Sequence, residues 1–180
     1  MRWIYFCVFL CFVSCSKSPD RKVSDSLPEY RLIKSFSNQI RPETGLVLHS
    51  YGVNNHLPRH YRITNRIANY DVCFVLYRGK ADAVSIEQAR SLLVTTAEGL
   101  KNTVNSCPEV SVRLDHYPME IEEIHCSLRF KDADQVDLQV GVSEAVLSHG
   151  VIKYKHSELG RHVVLYEECY EVALQTLEGV

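Results

Sequence analysis

The sequence predicts an α+β fold: a mainly antiparallel sheet with helices packed on one face, a two-layer sandwich. Three observations carry that expectation. The stretch 85–105 repeats apolar residues at three-to-four spacing, the mark of one buried helix face. From Ile124 onward apolar and polar residues alternate strictly, as in a strand with one wet side. In the second half, strand patterns follow one another directly. That favours antiparallel pairing, with helices covering the apolar side. The 180 residues, 46% hydrophobic and 23% charged, have ordinary globular proportions and suffice for one core. Lys+Arg 20 against Asp+Glu 22 leaves a net charge of -2. No basic face follows from that balance, so nucleic acid is not an expected partner.

Residues 1–14 read as a signal peptide. Arg2 supplies one positive charge, and every residue from Trp3 to Val13 is apolar. A spanning helix needs about 20 apolar residues, whereas a signal-peptide core needs roughly 7–15. Ser14-Cys15 then meets the polar run Ser16-Lys17-Ser18-Pro19-Asp20. Phe12-Val13-Ser14-Cys15 resembles the lipobox of bacterial lipoproteins, with Phe12 standing where leucine is most common. In that family the cysteine is diacylated, the peptide is cut before it, and the new amine is usually acylated. The resemblance therefore implies lipidation of Cys15 and attachment to the bacterial membrane. Two or three acyl chains anchor stably where one is marginal. Ser16 in place of Asp resembles the outer-membrane default of lipoprotein sorting, so the expected location is the periplasmic face of the cell envelope, outer membrane before inner. Without Arg2 the mature chain keeps 19 basic and 22 acidic residues, about -3.

Residues 15–27 then comprise the lipidated cysteine and a flexible tether reaching about 20 Å, and 28–180 a single globular domain. A helix is expected over 28–41, with Leu32, Ile33, Phe36 and Ile40 on one stripe and Pro42 and Gly45 as stops. A strand follows at 45–52, a loop at 53–60, and a central strand at 70–77 that is apolar on both faces. The helix from Ser85 to about Asn105 turns Ile86, Ala89, Leu93, Thr96, Ala97, Leu100 and Val104 inward. Ser85 with Gln88 makes a capping box, and Val84 with Ala89 a hydrophobic staple. Residues 109–123 read as irregular and acidic. Next comes a hairpin, 124–131 with 136–142. Its inward set is Ile124, Cys126, Leu128, Phe130, Val136, Leu138, Val140 and Val142. Strands at about 150–156 and 161–166 and a helix at 167–178, with Tyr166, Tyr170, Ala173, Leu174 and Leu177 inward, complete the chain.

Four phrases together resemble an uncharacterised family of small lipoproteins from chlamydia-like intracellular bacteria. They are Gly45-Leu46-Val47-Leu48, Glu87-Gln88-Ala89-Arg90, Tyr117-Pro118-Met119 and Glu167-Glu168-Cys169-Tyr170-Glu171. The resemblance covers most of residues 30–175 and implies no activity or catalytic residue.

No sequence pattern for a serine hydrolase, nucleotide-binding loop or zincin is present. His56 and His60 are four apart, but Pro58 lies between them and argues for a loop. His116, Glu120, Glu122, Glu123 and His125 are dense but lack a ligand spacing. Neither a metal nor a cofactor is expected. Cys73, Cys107, Cys126 and Cys169 allow two disulfides in three connectivities, or free thiols in a core; both stay open. The tyrosines scatter across elements and read as inward rings with a wet hydroxyl. The function expected is therefore non-catalytic: a binding or assembly module that engages another envelope protein. The alternatives are a small-ligand or lipid-binding module, and a hydrolase whose site is assembled from distant residues. The wet strand face carries the candidate contacts, His125, Ser127, Arg129 and Lys131, opposite Asp137, Gln139 and Ser143. Arg129 leads, because interfaces favour Arg over Lys; His125 is second.

Overall fold

The computed structural model describes residues 27–54, 66–79, 82–158 and 162–178. The signal peptide, Cys15, nearly all of the tether, His56, His60 and the expected turn at Leu159-Gly160 lie outside the described residues.

Helix α1 spans Pro28–Thr44 and buries Leu32, Ile33 and Phe36. It runs past the expected end at 41, because Pro42 is held inside the last turn. The stop is Gly45, at φ +72°, whose N–H reaches the Arg41 carbonyl at 2.9 Å. A glycine in the left-handed region closes a helix without a Cβ clash.

Strand β1 (Val47–Asn54) lies two residues later than expected, and β2 covers Asn69–Tyr77. Helix α2, Ile86–Asn105, starts at the predicted capping box. Gln88 N–H donates to Ser85 Oγ at 3.2 Å, and Ser85 N–H donates to Gln88 Oε1 at 3.1 Å. Val84 and Ala89 are both buried, as a staple requires. Val94 joins the predicted inward set. Within the stretch expected to be irregular, Pro108–Ser111 forms a short helix, α3, and Ile121–Glu123 a 3-10 turn.

Four more strands follow: β3 (Ile124–Lys131), β4 (Gly141–Ser148), β5 (Val151–Glu158) and β6 (His162–Cys169). The last helix, α4, is Tyr170–Glu178. Residues 167–169, expected to be helical, instead extend β6, and Lys153 and Ile152 pair with Glu167 and Glu168. Tyr170 and Ala173 are buried as expected.

The sheet order is β1-β2-β3-β4-β5-β6. The β2–β3 pair is parallel and the others are antiparallel. Parallel neighbours need a long crossover, and α2 supplies it. Helix α2 packs on β3 and β4, α1 on β1 and α2, and α4 on α2 and β6. The core lies between this helical layer and Tyr70, Val72, Phe74, Ile124, Cys126, Leu128, Phe130, Ala145 and Tyr154. The α+β sandwich expected from the sequence is therefore the fold of the chain.

The second hairpin strand is the main correction. The inward face of β3 is as predicted, with Ile124, Cys126, Leu128 and Phe130 all buried. Its partner, however, is Gly141–Ser148, with Leu128 facing Ala145 and Cys126 facing Leu147. Val136 is 51% and Val140 49% exposed; of that alternating segment before Gly141, Leu138 is buried. Two turns break the strand. The Asp132 carboxylate accepts from the N–H groups of Asp134 and Val136, and Gln135 takes φ +64°. Gly141, at φ +79°, then passes against Val84: a Cβ there would lie 2.6 Å from the Val84 carbonyl oxygen. Val142 N–H donates to that carbonyl at 2.8 Å, which launches β4. A shift in register at Val142/Glu144 places Ser143 among the buried residues.

Candidate functional site

Alternation along β2 to β5 turns one set of side chains into the core and the other onto the sheet face away from the helices. On that outer face the register brings opposite charges side by side. Arg129 on β3 faces Glu144 on β4, which in turn faces Lys155 on β5. Arg129 Nε lies 3.3 Å from Glu144 Oε1, with the side chains 45% and 32% exposed. Lys153 on β5 pairs with Glu167 on β6 at 3.0 Å. Exposed pairs of this kind contribute little to stability, about 0–1 kcal/mol. A guanidinium has five donors, and the one bond to Glu144 leaves Arg129 able to bind more.

His125 sits on the same face of β3 but in a different setting. It is half-buried, and its ring meets His149 edge-on with centroids 4.7 Å apart. Its Nε2 is shut off from solvent without a hydrogen-bond partner. Burial holds its pKa below the ordinary imidazole value; His149 adds to that and Asp71, its neighbour on β2, opposes it. Of the two predicted contacts, Arg129 is therefore the accessible one. Lys131 contacts Asp137 at 3.9 Å.

The predicted acidic cluster disperses. His116 Nδ1 lies 3.4 Å from Glu123 Oε1 on the surface. Glu123 caps the 3-10 turn through the Glu120 N–H. Among the described residues, no three of His, Cys, Asp and Glu converge as metal ligands. Cys73, Cys107, Cys126 and Cys169 are free thiols. Cys126 points into the helix-side core, whereas its neighbour on β2 there is Val72 and Cys73 faces the other way. Burial pushes the Cys126 thiol pKa far up, which makes it inert.

Sequence reasoning missed three polar clusters on the helix side. Arg90 of α2 donates twice to Glu168 of β6, Nε to Oε1 and Nη2 to Oε2, each at 2.8 Å. The Tyr154 hydroxyl donates to the same Oε1. The Tyr170 hydroxyl donates to Glu98 at 2.6 Å, and Lys101 lies beside it. Arg113 donates to Glu29, which is buried at the start of α1. Burial raises the pKa of Tyr154 and Tyr170, and their bonds to carboxylates raise them further. Glu168 accepts three hydrogen bonds, so these groups fasten elements together. The partners of Arg90 and Arg113 stand 78 and 84 positions away in the chain, and no local pattern in the sequence marks such pairs.

A groove of about 650 Å³ opens between α1 and the end of α2. Leu32, Phe36 and Cys107 line it together with Ser35, Asn102 and Thr103. An ion pair, Arg31 to Glu109 at 3.5 Å, stands among its lining residues. The chain matches no family model, no curated protein and no solved structure.

Proposed function

We propose that the chain is a membrane-anchored envelope lipoprotein that acts as a non-catalytic binding or assembly module for another envelope protein. The observation that carries the reading is the outer sheet face. It spans β3 to β6 with charges in register and presents Arg129 at 45% side-chain exposure. A flat face of this kind suits a protein partner better than a small substrate, which needs a concave site. The anchor is supported by the apolar run ending at Ser14-Cys15. Acylation of Cys15 would supply the attachment to the membrane.

Mass spectrometry of the mature N-terminus tests the anchor. The expected product begins at Cys15 and carries two or three acyl chains, and Cys15→Ala accumulates as unprocessed precursor. An unmodified mature chain beginning at Ser16 or beyond removes the lipoprotein reading. The binding role is tested by crosslinking in native envelopes followed by pull-down. Arg129→Glu is expected to fold with stability within about 0.5 kcal/mol of the parent and to recover less partner.

A second reading, a small-ligand or lipid-binding module, is favoured by the groove of about 650 Å³. Its size is that of small-molecule sites. Apolar ligand copurifying with the chain, and lost on Ser35→Trp, which fills the groove from an exposed lining position, would distinguish it from the first reading.

A further inference from the structure

The two edges of the sheet differ in chemistry. Edge strands present unpaired N–H and C=O groups and are usually guarded by charge, proline or short length. Edge β6 carries Glu167 and Glu168. Edge β1 reads Val-Leu-His-Ser-Tyr-Gly-Val-Asn: eight residues without Lys, Arg, Asp, Glu or Pro. Its one irregularity lies between Leu48 and Ser50. Among the described residues its sole sheet neighbour is β2.

Beside the start of β1, against α1, lies a recess of about 240 Å³ lined by Lys34, Ser37, Asn38, Arg41, Val47 and Leu48. Lys34, Arg41 and two short polar side chains line it, and among the described residues no carboxylate does. Lys34 Nζ stands 5.8 Å from the centre of the Tyr51 ring, and Tyr30 packs edge-on against Tyr51 with centroids 5.4 Å apart. Among the described residues, Arg41 has no carboxylate partner. Among the described residues, a strand edge without charged side chains or proline thus adjoins a recess that has Arg41 in its lining.

We propose that β1 accepts an extended acidic segment of a partner protein as an added strand, with a Glu or Asp side chain seated against Arg41. Main-chain hydrogen bonds along an edge give affinity, and flanking pockets give specificity. In the recess, Arg41 selects a carboxylate. This extends the binding-module reading to a surface separate from Arg129.

The test uses the full chain in detergent and two fluorescent peptides, Thr-Val-Glu-Val-Thr-Val and Thr-Val-Lys-Val-Thr-Val. By anisotropy the Glu peptide is expected to bind at least about tenfold more tightly, as a matched charge replaces a repelled one. Arg41→Glu should abolish that preference. Arg31→Glu, beside Glu109, and Arg129→Glu should preserve it, so failure here is distinguishable from failure of the Arg129 surface. Hydrogen exchange should slow across Val47–Asn54 when the Glu peptide is present. Equal binding of the two peptides, a preference that survives Arg41→Glu, or protection on β6 overturns the proposal. So does protection of β1 on concentrating the chain without peptide, which assigns the edge to a second copy.

Discussion

Glu168→Ala is expected to destabilise the chain by about 3–5 kcal/mol, the range for breaking a buried ion pair. Arg90 and Glu168 are 12% and 7% exposed at the side chain, and their two bonds join α2 to the edge strand β6. Removing the carboxylate takes two bonds from the largely buried guanidinium and one from the Tyr154 hydroxyl. The loss comes mainly from buried groups that give up these bonds, not from the net worth of the pair. Accordingly, the triple variant Arg90→Met, Tyr154→Phe and Glu168→Leu, which removes every member of the cluster, should regain most of it, since apolar groups of similar volume often replace such pairs without penalty. Urea unfolding reads both, as a fall and a recovery of the midpoint at constant slope. A loss under about 1 kcal/mol for Glu168→Ala would place the pair in solvent, with an exposed pair's worth.

Leu93→Ala is the second large effect, about 2–5 kcal/mol, as for other buried leucines. Leu93 is 0% exposed within the core that α2 shares with β3 and β4. Gln88→Ala, which loses one half of an exposed capping box, should cost no more than about 1 kcal/mol. Val140→Ala should fall within about 0.5 kcal/mol, because its side chain is half in water. Equal small changes at Leu93 and Gln88 would mean that α2 does not cover a core. A large change at Val140 would restore the 136–142 strand.

What was legible in the sequence was local. The Ser85–Gln88 box, the stripe along 86–104 and the alternation of Ile124 to Phe130 each depend on neighbours a few residues apart, and each is found in the structure. The 136–142 strand misled because Val136, Leu138 and Val140 keep period two while Gly141 interrupts it. A glycine inside an alternating run marks a bulge or a close backbone approach, and here Val84 is that approach. The end of β6 was read as helix because 167–171 is rich in Glu, a good helix former. Pairing with β5 overrides that preference. The open face of β3 and the exposure of Arg129 followed from alternation. Its bond to Glu144 did not, because the displaced strand hid the true partner of β3. The recess beside β1 is built from Lys34 to Leu48, neighbours in the chain, yet it needs α1 folded against β1, and the Arg90–Glu168–Tyr154 cluster joins segments far apart in sequence. Only the folded chain brings them together.

The most direct measurement of the central claim places a photoreactive side chain at position 129 in the otherwise native, anchored protein. Irradiation of intact envelopes should give one discrete protein adduct from position 129. The same probe at position 112 should give none, since Val112 is 80% exposed but lies beyond α3, on the helical side of the molecule. A discrete adduct from 112 with none from 129, or no adduct from either in correctly anchored protein, would contradict a binding module that works through its outer sheet face.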